Sequence, residues 1–188
     1  MKAYLEESEI INYSHPDIAK LSKKLAIDLS TDRQIAENCF LYVRDQIQHT
    51  GDIQSSIPTV KASEVLEHKT GWCYAKSHLL AALLRANNIP TAFCYQRLFC
   101  DEYSQDSYCL HGLNAVYLKD FGWYRIDARG NKEGVTAEFQ PPHEQLAFKL
   151  TQGESDIEGL HAQPLEVVIN ALTQNYDAMI HNFPDICT

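Results

Sequence analysis

Residues 71–93, GWCYAKSHLLAALLRANNIPTAF, and 111–132, HGLNAVYLKDFGWYRIDARGNK, decide the fold. In the first stretch Thr70 and Gly71 break the preceding chain. Ala and Leu then fill a helix predicted over 73–86, since both residues lose little side-chain freedom in that conformation. Asn87, Asn88 and Pro90 stop it. Cys73 therefore falls in the first turn, where unpaired N–H groups and the positive end of the helix dipole favour a thiolate. In the second stretch His111, Leu113, Ala115 and Tyr117 alternate onto one strand face. Trp123, Arg125 and Asp127 do the same on the next strand. If Leu118 opposes Gly122, with Lys119, Asp120 and Phe121 as the turn, then Leu113 opposes Asp127. His111 then lies on the diagonal, within side-chain reach of the carboxylate.

Outward from these stretches, TAFCYQRLF (91–99), LHGLNAVYL (110–118) and GWYRID (122–127) read as three strands rich in aromatic and β-branched residues. Upstream, 15–29 and 31–48 space their apolar residues three and four apart, as helices do, with Thr31 or Asp32 as cap of the second. A polar connection over 50–58 leads to a helical turn near 62–67. Downstream come a loop, a possible strand at 135–139, the breaker Pro141–Pro142, an acidic solvated loop at 154–158, and a last helix from Pro164 to Asn182. Helices first and antiparallel strands afterwards imply an α+β fold. A single domain over 1–188 is expected, with a core at about 60–135 and helical extensions at both ends.

The formal charge of −9 repels phosphate backbones and anionic lipid, so neither nucleic acid nor a membrane surface is an expected partner. The opening MKAYLEESEIINYSHP has no apolar run of signal length, and a cytoplasmic location is the expectation. None of the six cysteines stands in metal-ligand spacing. Free thiols are the favoured reading. A Cys100–Cys109 bridge is disfavoured by a reducing compartment, and Cys39, Cys94 and Cys187 read as packing residues. His143 and His161 are too irregularly placed among nearby Glu residues for a metal site to be favoured, so no metal or cofactor is expected. His78, five residues past Cys73, reads as a surface or packing residue. Trp72, Trp123 and Tyr124 read as core or pocket-wall aromatics.

Taken singly, Cys73 is a buried thiol, His111 a strand histidine bonding a carbonyl, and Asp127 a partner for Arg125 or Arg129. Taken together, thiol, imidazole and carboxylate meet at the open end of one hairpin, in the order a nucleophile, its base and an orienting acid require. The two quoted stretches resemble the core of the transglutaminase-like superfamily over roughly 65–132. The resemblance implies a papain-like sheet packed on the Cys helix, with Cys73 as nucleophile, His111 as base and Asp127 as orienter. Acyl transfer from an amide to an amine or to water would then proceed through a thioester. Gly112 and Leu113 stand where many members carry an aromatic residue after the His, and the paired Cys-x-x-Cys motifs of the peptide N-glycanase branch are missing.

Acyl transfer needs an oxyanion hole, for which the Cys73 N–H is the natural first donor and Trp72, Gln46 or Gln48 are candidates for the second. A peptide, protein or small amide is the expected substrate. Hydrolysis is favoured over cross-linking because nothing marks an amine pocket. Two other readings stay open, a non-catalytic peptide- or protein-binding module of the same fold and a redox-sensing thiol.

Overall fold

The computed structural model describes residues 1–100, 108–174 and 183–185. After a 3₁₀ turn at Lys2–Leu5, α1 spans Pro16–Leu25 and α2 spans Asp32–Gln46. Pro16 opens α1, where a missing N–H does no harm. Thr31 caps α2 by accepting a hydrogen bond from the Gln34 amide at 3.2 Å. Next come β1 (Gln48–His49), α3 (Thr50–Ile53), α4 (Ala62–His68), β2 (Thr70–Gly71) and α5 (Cys73–Ala86). The main strands β3 (Thr91–Phe99), β4 (Tyr108–Leu118) and β5 (Gly122–Ile126) follow. Short strands β6 (Glu138–Gln140), β7 (His143–Gln145) and β8 (Ser155–Asp156) precede α6 (Glu166–Thr173).

Every residue of α5 from Cys73 to Arg85 is buried. A helix with no face for water must be enclosed on all sides, and α1, α2 and α4 pack against it together with β3 and β4. The apolar cluster built around it runs from Ile11 to Leu172. Asn88 ends the helix in the left-handed conformation, at φ 58°. Near that end the buried Arg85 guanidinium donates to the carbonyls of Thr91 at 2.7 Å, Glu6 at 2.8 Å and Ala162 at 2.6 Å. Three distant segments are thereby tied to one cation.

The sheet is antiparallel, in the order β5-β4-β3-β8. Leu118 pairs with Gly122 and Asn114 with Ile126, the register the alternation implies. The ladder ends there, one step short of the expected Leu113–Asp127 pair. Mixed helices and an antiparallel sheet make an α+β core.

Several expectations need correction. The acidic segment 154–158 is exposed at Ser155, Asp156 and Glu158, as expected, but it is not all loop, because Ser155 and Asp156 form the edge strand β8 on Arg97 and Gln96. Its charge is matched there, Asp156 taking Arg125 at 2.8 Å. Within the connection 50–58, Thr50 is buried with its hydroxyl 3.3 Å from that of Thr70, and this contact winds α3. The strand placed at 135–139 begins at Glu138, and the last helix begins at Glu166; residues 175–182 of that helix lie outside the described ones. Cys100 and Cys109 are not free thiols but form a disulfide, with Cα atoms 6.0 Å apart. The register explains this: Leu98 opposes Cys109, so a residue just past the end of β3 turns back within reach of it.

Cys39 and Cys94 are free and buried, and burial pushes both thiols up to about 12. Cys187 lies outside the described residues. His78 is a packing residue, with Nδ1 2.7 Å from the Val60 carbonyl and its ring edge-on to Phe93. Among the described residues no helix is long and apolar enough to cross a membrane, and no three His, Cys, Asp or Glu side chains gather as metal ligands.

Candidate active site

Where β5 stops, β4 keeps an open edge. The Tyr95 carbonyl accepts from the Ile157 amide at 2.9 Å, so β3 does not use the N–H of Gly112, which opposes Tyr95. That N–H points to the other edge, which β5 has left at Ile126. There it donates to Cys73 Sγ at 3.4 Å. The start of α5 thus takes the place of a missing strand residue. Only glycine permits this approach, because a Cβ at position 112 would lie 2.8 Å from Tyr74 Cδ1. Tyr74 is itself pinned, its hydroxyl donating to the Leu110 carbonyl.

His111 projects from β4 next to this sulfur. Its Nε2 lies 2.7 Å from Asp127 Oδ2. An ionised carboxylate can only accept, so Nε2 carries the hydrogen and Nδ1 is left for the thiol, the ring's other polar partner. Asp127, buried, also accepts from the Ala147 amide at 3.0 Å and the Arg129 amide at 3.1 Å. Burial opposes its charge, but His111 and the two amides hold the carboxyl below its ordinary range. Burial likewise disfavours the imidazolium, yet Asp127 and Cys73 outweigh it and push His111 up to about 10. The Phe148 ring packs edge-on to the imidazole, with centroids 4.9 Å apart.

These groups open on a cleft of about 660 Å³ that Trp72, Cys73, His111, His49, Arg129 and Phe148 line among others. A larger cavity of about 950 Å³ also has Phe148 in its wall but holds neither Cys73 nor His111, so size alone does not select the site. Trp72 stands in the cleft wall with its indole Nε1 buried and, among the described residues, without a hydrogen-bond partner. Gln46 and Gln48 are exposed and do not line the cleft, so neither is brought to the site. Their place is taken by His49, one residue further on, which the sequence reading missed. No periodicity marks it, and it reaches the cleft only because β1 pairs with β2 just before Cys73.

The His49 ring is edge-on to Trp72, and its Nδ1 is buried without a hydrogen bond among the described residues. Burial, with Arg129 close by, holds it well below the ordinary histidine value, so it is neutral near pH 7. Beyond it, Asp52 receives both Arg129 at 2.9 Å and Lys132 at 2.9 Å. Burial works against the Asp52 charge, but the two cations keep the carboxyl well below its usual range.

No curated protein matches the sequence. Among solved structures, a protein from Cytophaga hutchinsonii described as a candidate cysteine protease is 19% identical, with a TM-score of 0.53. The match covers 67% of this chain and 40% of that one. The periplasmic domain of TgpA from Pseudomonas aeruginosa is 16% identical over 66% of this chain and 45% of its own, with a TM-score of 0.48. Red sea bream transglutaminase is 12% identical over 63% and 27%, with a TM-score of 0.47. This chain therefore spans less than half the length of each of these three structures. The family model described as the transglutaminase-like superfamily matches residues 19–128, more than half of the sequence and a span that includes Cys73, His111 and Asp127. With that span matched, and a Cys-bearing helix set against the edge of an antiparallel sheet, the chain belongs to the transglutaminase-like superfamily.

Proposed function

We propose that this chain is a thiol-dependent enzyme acting at an amide or peptide carbonyl, with Cys73 as nucleophile, His111 as acid and base, and Asp127 as the group that orients His111. The observation that carries the reading is the line of contacts from Asp127 through His111 to a sulfur at a helix start, buried in a cleft wall. A neutral thiol is a poor nucleophile at pH 7; an adjacent imidazolium and the first turn of a helix convert it to thiolate.

The thiolate attacks the carbonyl carbon, and the carbonyl electrons move onto oxygen. The Cys73 N–H, in the first turn of α5 and without an intrahelical acceptor, bonds that oxyanion. Trp72 Nε1 is the side-chain donor we assign to assist, having no acceptor among the described residues. Collapse of the intermediate breaks the C–N bond, and the departing amine takes the proton from His111 Nδ1. A thioester remains. Water, or an amine, then attacks while giving its proton to Nδ1, and the thiolate leaves. Hydrolysis is the outcome we assign, with a peptide, a protein or a small amide as substrate.

Alkylation of Cys73 by iodoacetamide between pH 5 and 10 tests the reading. Since His111 stays protonated to about pH 10, the rate should be nearly flat from pH 6 upward. In His111→Ala it should follow an ordinary thiol titration with a midpoint of about 8.5, and at pH 6 it should be slower on the order of 100-fold. Ordinary titration in the parent protein, unchanged by the substitution, would count decisively against the enzyme. Intact mass after exposure to peptide amides should then show a Cys73-linked acyl group.

A further inference from the structure

One turn beyond Cys73, α5 carries a lysine whose side chain is wholly buried. Among the described residues no carboxylate lies within ion-pair distance of its ammonium. Its partners are three backbone carbonyls: Ile47, Arg129 at 2.8 Å and, more distantly, Arg44 at 3.4 Å. Burying a charge against dipoles alone is costly, and an apolar side chain of similar length would be the cheaper filling. The cost points to what the three carbonyls belong to. Arg44 is in the last turn of α2, and Ile47 caps that helix and leads into β1, which carries His49. Arg129 donates its own amide to Asp127.

We propose that Lys76 is the positioning residue of the site, its ammonium holding the Cys73 helix, the His49 strand and the Asp127 loop at fixed separation. This rests on the enzymatic reading above. The loop packs on the ammonium at Gly130, where a Cβ would be in contact at 3.4 Å with both Lys76 Nζ and the Arg44 carbonyl, and where φ is +114°. On the opposite side of the loop the Arg129 side chain is fixed by Asp52. Arg129 is therefore held at its carbonyl by Lys76 and at its side chain by Asp52, which steadies the amide it offers to Asp127.

Charge adds to placement. Burial and Arg129 push the ammonium down to about 7, while Asp127, Asp52 and Asp45 favour its charged form. Lys76 in turn disfavours charge on His49. A cation beneath the loop stabilises the Asp127 carboxylate, and through it the imidazolium beside Cys73.

The test compares the parent protein with Lys76→Met and Lys76→Arg by Cys73 alkylation against pH and by thermal melting. Lys76→Met should fold, yet lose at least tenfold in Cys73 alkylation rate at pH 6 while keeping the parent rate at pH 10, where an ordinary, unactivated thiol is also ionised. Lys76→Arg, which restores a cation and its donors, should recover most of the loss at pH 6. A residue that served stability alone would lower the melting temperature and leave the pH profile where it was. A folded Lys76→Met protein with the parent profile overturns the proposal. If that variant does not fold, Lys76→Gln, which keeps an amide donor without charge, is read the same way. A parent protein with no low-pH reactivity overturns the enzymatic reading itself, whereas an activated parent with unaltered Lys76 variants removes only the role of the lysine.

Discussion

Asparagine in place of Asp127 is expected to lower amide turnover by about 10,000-fold, the scale seen when a triad acid loses its charge but not its shape. Asp127 Oδ2 accepts from both His111 and the Ala147 amide, and Oδ1 accepts from the Arg129 amide. A carboxamide has one acceptor atom. If its oxygen serves Ala147 and His111, its NH₂ faces the N–H of Arg129, and two donors meet in a site that water does not enter. If it turns over, the NH₂ donates to His111 Nε2, and the ring must carry its hydrogen on Nδ1. The nitrogen facing Cys73 then has no lone pair for a proton, and the base is lost. Each arrangement leaves one buried donor pair in conflict, at Arg129 in the first and at Ala147 in the second, at a cost of about 1–3 kcal/mol in stability. The measurement is steady-state turnover of whichever peptide amide leaves an acyl group on Cys73, alongside a melting curve. Asp127→Asn within tenfold of the parent, with the fold intact, would remove Asp127 from the mechanism.

Alanine at Gly112 is expected to damage fold and site together. Its Cβ would come to 2.8 Å from Tyr74 Cδ1 and 3.2 Å from Tyr74 Cα. The ring could swing aside in an open structure, but Tyr74 is buried and its hydroxyl is held by the Leu110 carbonyl. The first turn of α5 must therefore move off β4. Overpacking of this kind costs about 2 kcal/mol, a fall in Tm of roughly 4–8 °C for a domain of this size. The same displacement draws Cys73 Sγ from the Gly112 N–H and from His111. Differential scanning calorimetry and iodoacetamide labelling at pH 6 should both register the change. An unchanged Tm would show that the helix and strand tolerate more space than their contacts imply.

Much of this architecture is legible in the residues. Ala and Leu after Cys73 announce a helix, though not that it is buried on every side, and the alternation in 110–127 sets both the Leu118–Gly122 register and the convergence of His111 with Asp127. What escapes is set by partners far away in the chain. His49 reaches the cleft because two residues of β1 pair with two of β2, and no local pattern encodes so short a ladder. The Cys100–Cys109 bridge follows from where β3 ends against β4, a matter of one or two residues. The segment 154–158 is as exposed as it looks, but Arg97, Gln96 and Arg125 receive part of it as an edge strand. Gln46 and Gln48 were plausible donors by type, but the end of α2 turns both outward. Glycine at 112 departs from the aromatic expected after the histidine, and the close approach of Tyr74 supplies the reason.

The guanidinium at the far end of α5 limits how short a working fragment can be. Arg85 is satisfied by the carbonyls of Glu6 and Ala162 as well as by Thr91. A polypeptide trimmed to 19–128, the span that matches the family model, would discard two of those acceptors and also the Ala147 amide that steadies Asp127. It would leave a stranded cation in its interior and is expected to give the poorly dispersed amide spectrum of an unfolded chain, whereas a polypeptide of residues 1–174 should give sharp, well-spread resonances.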